Sequence, residues 1–170
     1  SSNTIGGTDA GAGNVISGNV DKGIHIHSGS PTNNLVQGNY IGTDATGTVA
    51  LANNKGVVLW DGATGNTIGG TTAAARNIIS GNTTDGIYVF GTGVTGNLIQ
   101  GNYIGLDWTG TVTVGNLDSG VRFWSSAVNN TVGGTVAGAG NVISGNQKYG
   151  VSIHGAGVSD ILVQGNYIGT

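Results

Sequence analysis

The sequence predicts an all-β chain. It reads as a right-handed parallel β-helix: a solenoid of three parallel sheets and about five and a half coils, in a single domain over residues 1–170. Three observations carry this. A long phrase recurs at an offset of 63 or 64 residues: N-V-I-S-G-N from Asn14, N-I-I-S-G-N from Asn77 and N-V-I-S-G-N from Asn141. Q-G-N-Y-I-G recurs with it from Gln37, Gln100 and Gln164. Between these phrases, short apolar runs of three kinds return in one fixed order every 30 to 34 residues. Aligning the coils then places aliphatic residue over aliphatic residue in four columns.

The first kind of run follows a glycine: G-I-H-I-H at Gly23, G-V-V-L-W at Gly56, G-I-Y-V-F at Gly86, G-V-R-F-W at Gly120 and G-V-S-I-H at Gly150. The second opens at Asn3, Asn34, Asn66, Asn97 and Asn130, with Ile161 in the place of the last asparagine. The third follows Asn14, Asn39, Asn77, Asn102, Asn141 and Asn166. Each run is four or five residues of mostly Ile, Val and Tyr, which suits strands and is too short for helices. One circuit of the three is one coil, and the long period is two coils that differ in their loops. Parallel crossovers are almost always right-handed, and the six-residue spacing of a left-handed hexapeptide solenoid is absent.

The third run contributes the column Ile16, Ile41, Ile79, Ile104, Ile143, Ile168. The second contributes Ile5, Val36, Ile68, Ile99, Val132, Val163. Two columns of the first run, Ile24 to Val151 and Ile26 to Ile153, share one face by the two-residue period of a strand. Four aliphatic columns facing one axis make a dry core that no single coil can form alone. The third-run asparagines are expected to form a hydrogen-bonded ladder at the corner between the second and third sheets.

Composition agrees with this reading and narrows function. The chain has 35 glycines, one proline, no cysteine and no methionine. It is 37% apolar with a net charge of -3, unlike a disordered chain. Five scattered Lys and Arg cannot track a phosphate backbone, so nucleic acid is not an expected partner. No apolar run is long enough to cross a membrane, so membrane insertion is not expected.

The Gly- and Asn-rich phrases N-T-I-G-G, N-V-I-S-G-N and G-N-Y-I-G-T-D resemble the right-handed parallel β-helix repeat proteins of pectate-lyase-like architecture. They are most similar to the repeats of large secreted or surface bacterial proteins, and the resemblance covers essentially the whole chain. It implies a secreted or cell-surface location. It does not imply one activity, because the fold carries lyases, hydrolases, adhesins and stalks alike.

Two loop types interrupt the coils. T-D-A-T-G-T-V-A-L from Thr43 matches L-D-W-T-G-T-V-T-V from Leu106, and Tyr40, Tyr103 and Tyr167 are expected to pack beneath this type. Trp108, within the second copy, is expected to pack onto a tyrosine. G-T-T-A-A-A-R-N from Gly70 matches segments at Gly7 and Gly134, and Thr71 is expected to cap one helical turn there. The chain opens directly on a repeat element, as a processed, excised or engineered piece would, and neither end shows a capping element. It therefore reads as a segment of a longer solenoid, or as a unit that self-associates through uncapped ends. Simple head-to-tail joining would skip one strand of the first kind.

No catalytic constellation is recognised. Polysaccharide-cleaving β-helix enzymes group carboxylates, or calcium ligands beside a basic residue, on one sheet face. Here all eight acids are aspartates, and none shares an outward strand column with another on the next coil. Lys55 and Asp85 are expected to form a cross-coil ion pair of modest worth. His25 and His27 alternate on one strand without a third metal ligand, so no metal and no cofactor are expected. Threonines alternate with leucines from coil to coil, which gives no ice-binding lattice. The chain is thus read as a non-enzyme, a structural or surface-display module of a fibre or longer rod. The alternative is a carbohydrate-binding module, or the remnant of a polysaccharide-active enzyme. Its candidate ligand residues are the outward columns of the first sheet, His27, Trp60, Phe90, Trp124, His154 and, beside them, His25, Tyr88, Arg122.

Overall fold

The computed structural model describes residues 1–170, with seventeen short strands in three parallel sheets. The first sheet holds Lys22–Ile26, Lys55–Trp60, Ile87–Phe90, Ser119–Trp124 and Tyr149–His154. The second holds six strands, from Thr4–Gly6 to Leu162–Gln164, and the third six more, from Val15–Ile16 to Tyr167–Ile168. In every sheet each strand pairs with the strand one coil away, so the chain is a β-solenoid.

Strand lengths depart from the expected four or five residues. Second-sheet strands have three residues and third-sheet strands two. Glycine cuts them short: the residue closing a second-sheet strand takes φ of 84° at Gly6 and 91° at Gly69, a conformation that turns the chain at the corner. First-sheet strands are longer, reaching six residues at Lys55–Trp60, Ser119–Trp124 and Tyr149–His154.

Like stacks on like. Ile16, Ile41, Ile79, Ile104, Ile143 and Ile168 are successive register partners. The other three columns are likewise in register. A fifth column not anticipated from the runs, Ala63, Val94, Ala127 and Val158, fills the corner between the first and second sheets. It is held by isolated parallel bridges from Thr32 through Thr64, Thr95 and Val128 to Ser159. Nineteen buried side chains form one continuous core.

Three asparagine ladders bind the corners. The expected one runs Asn14, Asn39, Asn77, Asn102, Asn141, Asn166, each Nδ2 donating to the next Oδ1 at 2.8–3.0 Å. A second runs Asn3, Asn34, Asn66, Asn97, Asn130. A third runs Asn19, Asn53, Asn82, Asn116, Asn146. The backbone N–H of each residue also donates to the Oδ1 of the next, so one oxygen satisfies two donors per rung. Asn102 Nδ2 further donates to the carbonyls of Ile68 and Gln100 at 2.9 and 3.0 Å. Such buried amides are fully satisfied, the condition under which a buried polar group stabilises.

The loops explain their own sequence. Asp44 accepts hydrogen bonds from Thr46 Oγ1 and from the backbone N–H groups of Thr48 and Val49, and Asp107 does the same with Thr109, Thr111 and Val112. The D-x-T-G-T-V phrase is therefore a self-closing turn. Tyr40 and Tyr103 lie under these loops as expected, pressed so close that a side chain at Gly47 would lie 2.5 Å from the Tyr40 ring. Tyr167 is exposed. The helical turn forms at Ala73–Ala75 as a 3-10 turn, but its cap is Thr72 rather than Thr71, with the Thr72 hydroxyl accepting from Ala75 N–H. Trp108 stacks on no ring; it stands 54% exposed beside a cleft, its backbone N–H donating to Gly47 O in the companion loop at 3.2 Å.

Candidate functional site

The outer face of the first sheet places the predicted residues as their alternation requires. Trp60, Phe90, Trp124 and His154 are register partners on successive coils. Beside them His25, Val58, Tyr88, Arg122 and Ser152 form a second column. Trp60 and Trp124 remain 40% and 39% exposed.

The rings fall into two groups. His25 and His27 stack at 3.8 Å, and His25 lies 5.6 Å from Trp60 in a nearly parallel plane. Trp60 meets Phe90 tilted at 5.9 Å, and Phe90 stacks on Tyr88 at 5.6 Å. Five rings thus form one patch. Trp124 belongs to a separate pair, edge-on to His154 at 4.2 Å. The expected continuous ring column is interrupted between Phe90 and Trp124.

A groove of about 200 Å³ opens on the larger patch, floored by Val58 and walled by Trp60, Tyr88 and Phe90. Asp21, Lys22 and Lys55 edge it, and the Lys55 ammonium lies 5.5 Å from the Tyr88 ring centre. Lys22 pairs with Asp21 at 2.5 Å. Burial pushes the His25 imidazole below its usual range, with the charges of His27 and Lys22 adding to the effect. Burial pushes the Tyr88 hydroxyl up, and the Asp85 charge reinforces this.

Arg122 departs from the exposed face. Its Nη2 donates to Ser119 Oγ at 3.1 Å and pairs with Asp118 Oδ1 at 2.5 Å. Its Nε lies 3.2 Å from Asp85 Oδ1, an electrostatic contact without hydrogen-bond alignment. Lys148 adds a second cation at Asp118, 3.2 Å away. The expected Lys55–Asp85 pair does not form: Lys55 Nζ bonds Asn54 Oδ1 and Thr84 Oγ1, and Asp85 turns to Arg122. Burial raises the Asp85 carboxyl above its usual range, and the Arg122 and Lys55 charges offset this only in part. At Asp118 burial also pushes upward, but the bonds from Arg122 and Lys148 outweigh it, and its carboxyl sits below the usual range.

This cluster was missed because Asp85 and Asp118 lie before the strands proper, outside the outward columns. The available signal was the placement of Arg122 one coil above Tyr88, within reach of an acid three residues before Tyr88. Asp85 is only 1% exposed, so the cluster anchors the start of the strands rather than facing a substrate.

No family model matches the chain, nor does any curated protein or solved structure match it significantly. No three His, Cys, Asp or Glu side chains converge as metal ligands. No helix is long and apolar enough to cross a membrane.

Proposed function

We propose that this chain is a structural or surface-display module, a rigid β-solenoid rod of a secreted or cell-surface bacterial protein. The observation that carries this reading is the unbroken repetition of the interior. The aliphatic columns and the asparagine ladder from Asn14 to Asn166 run from the first coil to the last, and two further ladders join five coils each. The most deeply placed acids are occupied in holding loops and strand starts, Asp44 and Asp107 by their own turns and Asp85 and Asp118 by Arg122. That use leaves no carboxylate pair poised for acid and base work, so the reading is of a non-enzyme.

A second reading has its own support. The Trp60, Tyr88 and Phe90 groove, with Lys55 and Asp21 at its edge, has the flat apolar faces and polar rim that suit a sugar ring. The two readings separate on a glycan array probed with the parent and with Trp60→Ala. The structural reading expects no glycan whose retention depends on Trp60. A glycan held by the parent and released by Trp60→Ala would replace it with the carbohydrate-binding reading. Self-association through the end coils, where Ile153, Val163 and Ile168 are exposed, is part of the rod proposal. Sedimentation that stays monomeric as concentration rises would remove that part.

A further inference from the structure

In a chain built from near-copies, the positions where the copies disagree mark what the scaffold alone does not demand. Two such departures meet in one place. The loop from Gly70 carries Arg76 where its companions carry Gly13 and Gly140. The loop from Leu106 carries Trp108 where its companion carries Ala45. Both line the same cleft of about 340 Å³, on the side of the rod away from the aromatic face of the first sheet. Its floor is Tyr40 and Ile78, neighbours on the outer side of the third sheet, with Ala73 and Ala74 beside Arg76.

The scaffold has changed its backbone to admit the arginine. A Cβ at Gly13 or Gly140 would lie 2.0 Å from a carbonyl oxygen of the next coil, so those copies tolerate no side chain. Only the Gly70 loop winds into the Ala73–Ala75 turn, and Arg76 leaves that turn in an extended conformation. The guanidinium is fixed before any ligand arrives. Its Nε donates to Gly101 O at 3.1 Å, and its Cζ lies 4.0 Å from the Tyr103 ring centre. No carboxylate stands within ion-pair distance, and neither Nη makes a hydrogen bond within the chain. A held, uncompensated guanidinium beside a half-exposed indole combines an anion receptor with a stacking platform.

We propose that this cleft binds a sugar ring bearing one anionic group, a carboxylate or a sulfate. Arg76 takes the anion through its two free Nη groups, and Trp108 receives the apolar face of the ring. The cleft volume, at the small end of ligand pockets, suits one or two rings. The site stands apart from the first-sheet groove and does not depend on either reading of that face.

Trp108 fluorescence tests this in a background where Trp60 and Trp124 are Phe, leaving one tryptophan, at the cleft. The probes are glucuronate, glucose 6-sulfate and neutral glucose, titrated at constant ionic strength. Saturable quenching by glucuronate or by the sulfate, with none by glucose, is the expected result, and the preferred probe identifies the anion. Arg76→Gln is expected to weaken that binding about tenfold. Trp108→Ala, which restores the companion loop's residue and so retains a fold already present in this chain, is expected to abolish it when read by calorimetry on the otherwise unaltered protein. Equal response to glucose, no saturable response to any probe, or unchanged affinity in Arg76→Gln would each overturn the proposal.

Discussion

The interior and the outer face of the first sheet lie on opposite sides of the same strands, yet they follow opposite rules. Inside, one first-sheet column is β-branched aliphatic on every rung, Ile24, Val57, Ile87, Val121 and Val151. Outside, one column reads His25, Val58, Tyr88, Arg122, Ser152, with no two residues alike. The interior repeats because each coil must bury its apolar side against the next, and similar apolar rungs pack on one another. The outer face carries no such requirement, so its variation reports local tasks: a ring patch, an ion cluster, a strand edge.

The contrast predicts a descending series of effects. Phe123→Ala, at a fully buried rung of the first-sheet core, is expected to cost about 3–5 kcal/mol in urea unfolding. A loss near that of a surface residue would mean that the core is not continuous there. Arg122→Ala comes next, at about 3 kcal/mol near neutral pH, because it leaves Asp85 buried without its cation. Its pH dependence has a definite sign. The folded Asp85 carboxyl is raised, so its favourable contribution is complete below the unfolded value of about 4 and is lost as pH rises through the folded value. The penalty of Arg122→Ala should therefore shrink on acidification, and a penalty that grows toward acid would contradict the pairing.

Asn102→Ala removes a ladder rung, so Asn77 Nδ2 loses its acceptor on the next coil and Asn141 Oδ1 loses its side-chain donor, at a cost of about 2 kcal/mol. Asp107 carries the opposite pH sign to Asp85. Burial pushes its carboxyl up, but the bonds from Thr109, Val112 and Thr111 outweigh this and set it below the usual range. Its stabilisation is thus present above the unfolded value of about 4 and is lost as pH falls through the lower folded value. Asp107→Asn should lower the melting temperature at neutral pH and converge with the parent in strong acid; parallel curves would refute the turn's role. The smallest effect is expected at the outer face, where Trp60→Ala should change stability by less than about 1 kcal/mol. A larger loss would mean that the ring patch is itself a structural column.

The same contrast explains what could be read without coordinates. Architecture was legible because Ile16, Ile41 and Ile79 recur at fixed places, and recurrence survives uncertainty about any single strand. The ladder through Asn14 was legible for the same reason. The ladders through Asn3 and Asn19 were not, because their asparagines open or close the recurring phrases, where a turn residue and a ladder residue look alike. The second- and third-sheet strands were overestimated because the glycine or serine that ends each of them also belongs to the repeated phrase. The outer columns were assigned correctly, but the path of Arg122 back toward Asp85 and Asp118 is a choice of side-chain rotamer that column alignment does not contain. Trp108 was visible as an exception to its repeat. Its meeting with Arg76 needed the lateral placement of two loops from different coils.

The most direct test of the stacked interior is a methyl NOE experiment on protein labelled at isoleucine δ1 positions. Rungs separated by about 4.8 Å predict an unbroken relay of cross-peaks from Ile16 through Ile41, Ile79, Ile104 and Ile143 to Ile168, each residue seeing only its neighbours along that column. A cross-peak from Ile16 straight to Ile79, or a break anywhere in the relay, would contradict the solenoid register on which the ladders, the ring patch and the loop-face cleft all rest.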